Sequence, residues 1–114
     1  MKVVCWQDVA GQEMGAPAPG VTKRVLIGPK DGAPNFAMRH FTIEPGKNTP
    51  YHEHDWEHEV FVLEGQGVLV TGEGERILEP GEAVYVPLGK THQFRNVGKQ
   101  ALRFLCVVPL AGEK

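Results

Sequence analysis

Along residues 23–109, apolar and polar side chains alternate in short runs, and most runs stop at a glycine or proline. "KRVLIG" gives way to the turn-forming "PKDGAPN", and "FAMRHFTI" alternates until it meets "EPGKNTP". After a histidine-rich stretch come "EVFVLEG", "GVLVTG", "GERILEPG", "EAVYVPLG", "THQFRNVG" and "ALRFLCVVP". Period-two alternation marks strands with one buried face, and the glycine-containing stops are tight turns. About eight such strands predict an all-β fold, an antiparallel barrel or two-sheet jelly roll.

Ahead of this pattern, "AGQEMGAPAPG" at residues 10–20 is too rich in Gly, Pro and Ala for helix or central strand and reads as an extended connector. Before it, residues 3–6 ("VVCW") predict a short edge strand, suited to pairing with its own sheet or with a neighbouring subunit. The expected organisation is an arm and connector over 1–20 and a barrel over 21–114.

Composition adds limits. A chain of 114 residues is the size of one domain with one core. Twelve Lys and Arg against fourteen Asp and Glu, with no basic block, argue against nucleic acid as a partner. The start "MKVVCWQD" is too short in apolar residues for a signal peptide, and no run approaches the roughly 20 residues that span a bilayer. A cytoplasmic protein without membrane contact is expected. Cys5 and Cys106 form no CxxC pair and are expected as free thiols.

The chemistry gathers in "YHEHDWEHE" at residues 51–59. A helical zinc site is one reading, since His54 and His58 are four apart. However, HExxH needs Glu after the first histidine, where Asp55 stands, and Pro45 and Pro50 precede the stretch. On a strand, His52 and His54 point to one face and Glu53 away. His58, past the bend "DWE", can swing back to the same point, and His92 opens a later strand. Spacing alone separates this ligand set only slightly from a solvated charged patch.

The frame around the histidines resembles the cupin family. Its first motif, G-x5-H-x-H-x3 or x4-E-x6-G, is matched by Gly46, His52, His54 and Gly65. Its second, G-x5-P-x-G-x2-H-x3-N, is matched by Gly81, Pro87, Gly89, His92 and Asn96. His58 stands where the motif has Glu. The alternative is Glu59, which breaks the spacing to Gly65 and faces the opposite side of its strand. The resemblance therefore implies a four-histidine metal site, His52, His54, His58 and His92. It implies manganese first, with iron, nickel, copper or zinc as alternatives. Four neutral imidazoles leave a divalent ion its full charge and, if it is six-coordinate, two open positions.

Parity extends the site. If His92 points inward, so do Phe94 and Asn96. An outward Arg103 sends Leu102, Phe104, Cys106 and Val108 into the barrel. Trp56, Phe94, Phe104 and Val108 are the expected pocket walls. Cys106 is a candidate pocket thiol, against the plainer reading of a small buried residue. An inward Arg39 is a candidate carboxylate-orienting group, against an ion pair with a glutamate at the rim. His40 has outward parity and is expected at the surface. The resemblance implies a metal-dependent enzyme, first a dioxygenase-type oxidoreductase on a small oxygen-rich or anionic substrate. A non-redox isomerase or decarboxylase, or a binding module without turnover, is the alternative. It also implies a homodimer, with the N-terminal arm suited to exchange.

Overall fold

The computed structural model describes residues 1–113. Two antiparallel sheets carry the alternation seen in the sequence, and together they form a jelly roll. The strands are β1 (Gln12–Glu13), β2 (Val21–Ile27), β3 (Phe36–Ile43), β4 (His58–Glu64), β5 (Gly67–Thr71), β6 (Gly74–Leu78), β7 (Ala83–Val86), β8 (His92–Asn96) and β9 (Leu102–Pro109). One sheet runs β1-β2-β3-β9-β4-β7 and the other β6-β5-β8. All of the paired strands are antiparallel.

Period two produces the core directly. Along β9, Leu102, Phe104, Cys106 and Val108 are buried while the residues between them are partly exposed. In β8 the buried set is His92, Phe94 and Asn96. With Val21, Ala37, Ile43, Val60, Val62 and Leu78, the side chains of Phe94 and of the four buried β9 residues fill one apolar cluster between the sheets, and burying such surface is the main favourable term in folding. Asn96 closes the end of β8. Its Nδ2 donates to the carbonyls of Ile43 and Gln100, both at 2.8 Å, and its Oδ1 accepts from Gly98 N at 2.9 Å. A buried amide so satisfied pins β8 to the end of β3.

Gly65 shows why a turn position demands glycine. Its φ is +87°, and a Cβ built there would meet the Ala101 carbonyl oxygen at 2.5 Å. The β4–β5 turn thus lies directly on the backbone entering β9.

The N-terminal segment departs from expectation. Residues 3–6 form no strand. The chain makes a single 3₁₀ turn at Trp6–Asp8, and only Gln12–Glu13 joins the sheet edge. Trp6 instead lies flat on His40, ring centroids 4.1 Å apart and 8° from parallel, with the Arg24 and Arg103 guanidinium groups over its ring at 5.2 and 5.3 Å. His40 points to the outer face of β3 as its parity requires, yet it is 0% exposed. Expecting it at the surface was wrong because the arm crosses that face. Cys5 and Cys106 are free, one exposed and one buried. Among the described residues, no helix is long and apolar enough to cross a membrane.

Candidate metal centre

The histidines of the two motifs are tied together by backbone. His52 and His92 form an isolated antiparallel bridge, with His52 N donating to His92 O at 3.1 Å and His92 N to His52 O at 2.9 Å. Gly89 N donates to His54 O at 2.7 Å, which holds the second-motif turn against the first. Between His52 and His58 the chain is neither helix nor regular strand. It leaves strand geometry after His52 and bends at Asp55–Trp56, so the helical site is excluded. The strand expected through His52 and His54 is reduced to that one bridge, because the bend at Asp55–Trp56 ends the pairing.

Even so, the rings converge. One ring nitrogen from each of His52, His54 and His92 lies within 4.8 Å of the other two. Two nitrogens on opposite sides of an ion with bonds of about 2.1 Å are about 4.2 Å apart, so a small closure suffices. His58, at the start of β4, stands outside that set, with its ring centroid 4.8 Å from His54 and 5.3 Å from His92.

Ring protonation follows from the neighbours. His92 Nδ1 lies 2.7 Å from the Lys90 carbonyl oxygen. That nitrogen must carry the proton, which leaves Nε2 as a donor for a cation. His58 Nδ1 lies 3.1 Å from Cys106 Sγ, while its Nε2 is buried with no hydrogen-bond partner among the described residues. An orphaned buried nitrogen costs free energy unless something binds it. Burial, reinforced by the neighbouring histidines, lowers the pKa of His54 to about 4; burial, with His54 and Arg39 beside the ring, lowers that of His58 to about 3. His52 is lowered by the same cause, burial first and then His92. The neutral imidazole is the form a metal requires.

Behind His58 runs a chain of polar contacts. Arg39, 6% exposed, donates from Nη2 to Cys106 Sγ at 3.1 Å and from Nε to the Cys106 carbonyl at 3.4 Å. Its Nη1 donates to Glu113 Oε1 at 3.1 Å, and Lys23 Nζ donates to Glu113 Oε2 at 2.9 Å. Burial pushes the Cys106 thiol up, against the opposing pull of Arg39. A neutral thiol wedged between a guanidinium and an imidazole is suited to orienting His58 rather than to attacking a substrate.

A cavity of about 210 Å³ opens onto this centre. The four histidines, Arg39 and Cys106 share its lining with Phe41, Phe94, Phe104, Thr49 and Met14. Trp56 forms one wall and stacks on His54, ring centroids 4.8 Å apart and 5° from parallel. Val108, expected as a wall, is not. It has the right parity, but it pairs with Ala37 one pleat beyond Cys106 and is sealed in the core. Sequence reasoning missed Lys23 and Glu113. Lys23 carried a usable signal, since it lies on the strand neighbouring Arg39 with its stem toward the same side. Glu113 carried none, because the turn after β9 delivers it.

An antiparallel jelly roll with clustered histidines at the head of an aromatic cavity defines a small metal-site barrel protein. The chain belongs to the cupin family: the cupin-domain model Cupin_2 matches residues 39–108. It is 31% identical over 103 residues to the 1-methylthio-D-xylulose 5-phosphate methylsulfurylase of Rhodospirillum rubrum, a match covering 90% of this chain and 65% of that protein. It superposes on the polyketide cyclase RemF of Streptomyces resistomycificus with a TM-score of 0.91 and 40% identity, covering 96% of this chain and 80% of that one. A cupin sugar phosphate isomerase from Silicibacter pomeroyi gives a TM-score of 0.81 and 25% identity, covering 95% of this chain and 75% of that one. All three relatives carry the names of enzymes.

Proposed function

We propose that this chain is a metal-dependent enzyme in which His52, His54, His58 and His92 hold one divalent ion beside a small oxygen-rich substrate, in a ring-closing or isomerising reaction without net redox change. The observation that carries the reading is the buried Nε2 of His58, without a hydrogen-bond partner among the described residues, beside three converging imidazoles at the head of one cavity. The 40% identity to a polyketide cyclase supports the reaction class. The bound ion would supply Lewis acidity to a carbonyl or enol oxygen, at full divalent charge because its donors are neutral. The protein's own part is placement. Phe41, Phe94 and Phe104 offer flat apolar contact and exclude water, Trp56 fixes His54 by stacking, and Cys106 fixes the His58 ring. An all-imidazole donor set favours zinc, iron, nickel or copper over the manganese that the family resemblance implies, since manganese prefers oxygen donors.

A dioxygenase-type reaction is the second reading, because four side-chain donors leave a six-coordinate ion room for two further ligands. The chain loaded with zinc alone, then with iron(II) alone, is offered pentane-2,4-dione and a linear poly-β-ketone while oxygen uptake and product mass are followed. Product of unchanged elemental composition, or lighter by water only, formed with zinc and without oxygen uptake, supports the first reading. Uptake with iron alone and products heavier by oxygen transfers the assignment to the second. Inactivity with every ion alongside reversible substrate binding identifies a binding module.

A further inference from the structure

The cavity also holds two largely buried cations whose charge the metal reading leaves unused. Lys23 on β2 and Arg39 on β3 project from neighbouring strands into the same cavity as the histidines. Both are largely buried, with side chains 15% and 7% exposed, and both point at one carboxylate, that of Glu113, itself 10% exposed. Each Glu113 oxygen takes one cation, Oε2 from Lys23 at 2.9 Å and Oε1 from Arg39 at 3.1 Å. Two cations and one anion leave this group with a formal surplus of one positive charge, in a setting where buried charge is costly unless balanced.

The carboxylate does not belong to the barrel wall. It comes from the segment after β9, just past the 3₁₀ turn Leu110–Gly112. Gly112 of that turn forms part of the cavity lining. Gly112 presses so closely on Trp56 that a Cβ there would meet Nε1 at 2.8 Å. The indole N–H of Trp56 is buried without an acceptor among the described residues. Leaving a buried donor unpaired costs free energy, so the closed turn, held by the Glu113 ion pairs, by Leu110 N donating to the Asn35 carbonyl at 3.2 Å and by Leu110 packing on the core, lies over an unsatisfied group. Lys23 and Arg39 thus share the cavity lining with Trp56, whose ring stacks on His54 and whose indole N–H lies beneath the Gly112 turn.

We propose that Lys23, Arg39 and Trp56 form a recognition site for a carboxylate carried by the ligand, and that Glu113 occupies this site as an internal stand-in until a ligand carboxylate displaces it together with the Leu110–Gly112 turn. The planar two-oxygen grip on Glu113 is the grip a ligand carboxylate receives. The inference rests on the cavity's being the ligand site, as proposed above, but not on which ion the histidines hold. An internal competitor lowers apparent affinity by the fraction of molecules in which the site is open. Removing it therefore strengthens binding without adding a contact.

Benzoate is the probe, with benzamide as its uncharged isostere and inorganic phosphate as a second anion. Each is titrated calorimetrically into the full chain as purified and again with a chelator present. Glu113→Ala is expected to bind benzoate about tenfold or more tightly than the unaltered chain. Benzamide should gain little, and Lys23→Met in the Glu113→Ala background should abolish the gain. In the unaltered chain, saturating benzoate should shift the Trp56 indole N–H resonance downfield, identified by its persistence in Trp6→Phe; this measurement stands if Glu113→Ala folds poorly. An equal gain for benzamide means simple enlargement of the cavity and overturns the proposal. So does a gain seen only without chelator, which places the carboxylate on the ion, or a gain that survives Lys23→Met. Phosphate binding more tightly than benzoate overturns the carboxylate assignment, and an unmoved Trp56 resonance overturns the site itself. Since the chelated arm needs no metal, failure of the metal reading and failure of this one give different results.

Discussion

His58 Nδ1 rests 3.1 Å from Cys106 Sγ, and the same sulfur receives Arg39 Nη2 at 3.1 Å. This shared contact holds the His58 ring with Nδ1 on the thiol and Nε2, which has no partner among the described residues, directed away from it. Groups that orient a ligating histidine typically change metal affinity by about 10–100-fold when removed. Cys106→Ala is therefore expected to lower zinc affinity within that range in a competition titration with a chromophoric chelator, and Cys106→Ser to recover part of the loss. Unchanged affinity in Cys106→Ala would assign the sulfur to packing alone.

The four histidines should not be equivalent. His52, His54 and His92 already bring one nitrogen each within 4.8 Å of the others, whereas His58 stands outside that set. Replacing any of the first three with alanine should abolish stoichiometric metal in elemental analysis after dialysis. His58→Ala should keep an ion of weaker affinity, because three nitrogens still suffice for a site. His40→Ala, on the opposite face of its strand, should retain full stoichiometry and serves as the control for simple loss of a histidine.

Much of this is legible in the sequence, and the reason is period two. Once His92 is inward, parity alone places Phe94 and Asn96, and in β9 Leu102, Phe104 and Cys106, all of which are buried. It also separates His58, buried, from Glu59, exposed, and so settles which of the two faces the cavity. Parity says which side of a sheet a residue takes, and nothing about what later covers that side. His40 was misjudged for this reason: Trp6, far away in sequence, lies over it. The carboxylate of Glu113 arrives at Arg39 in the same way, across long sequence separation and from a turn with no periodic signal. Val108 marks the complementary limit, since inward parity does not distinguish a cavity wall from sealed core.

The buried His40 makes a pH prediction. Burial first, then the positive charges of Arg24 on β2 and Arg103 on β9, lower its pKa from 6.5 to about 4, only partly offset by Glu64 on β4. Trp6 faces it across the stack and carries no titrating group. Above pH 6.5 the ring is neutral in folded and unfolded chains, and it adds no pH dependence. Below that, the unfolded chain takes up the proton first, so stability falls between pH 6.5 and about 4 and then levels off. The loss attributable to this ring is at most about 3.5 kcal/mol. Urea unfolding with chelator present, at pH 7 and pH 4.5, should show a smaller drop for His40→Phe than for the unaltered chain. Equal drops would mean that the ring is protonated in place without penalty.

Two motif glycines should fail by different margins. Gly46 and Gly65 both have left-handed φ, at +79° and +87°, so alanine at either position is strained by roughly 1–2 kcal/mol from backbone conformation alone. Around Gly46 a new Cβ meets nothing within 4 Å, and conformational strain is the whole cost. At Gly65 the same Cβ falls 2.5 Å from the Ala101 carbonyl oxygen and 3.0 Å from Leu102 Cα, backbone atoms that cannot rotate out of the way. The β4–β5 turn must then lift off β9, the strand that carries Phe104 and Cys106 into the cavity. Gly65→Ala is accordingly expected to cost about 2 kcal/mol or more beyond Gly46→Ala in urea unfolding, the size of a forced overpacking. It should also weaken zinc binding, because displacing β9 moves Cys106 relative to His58. If the two variants unfold alike, the close approach at Gly65 relaxes without effort and β9 tolerates the shift.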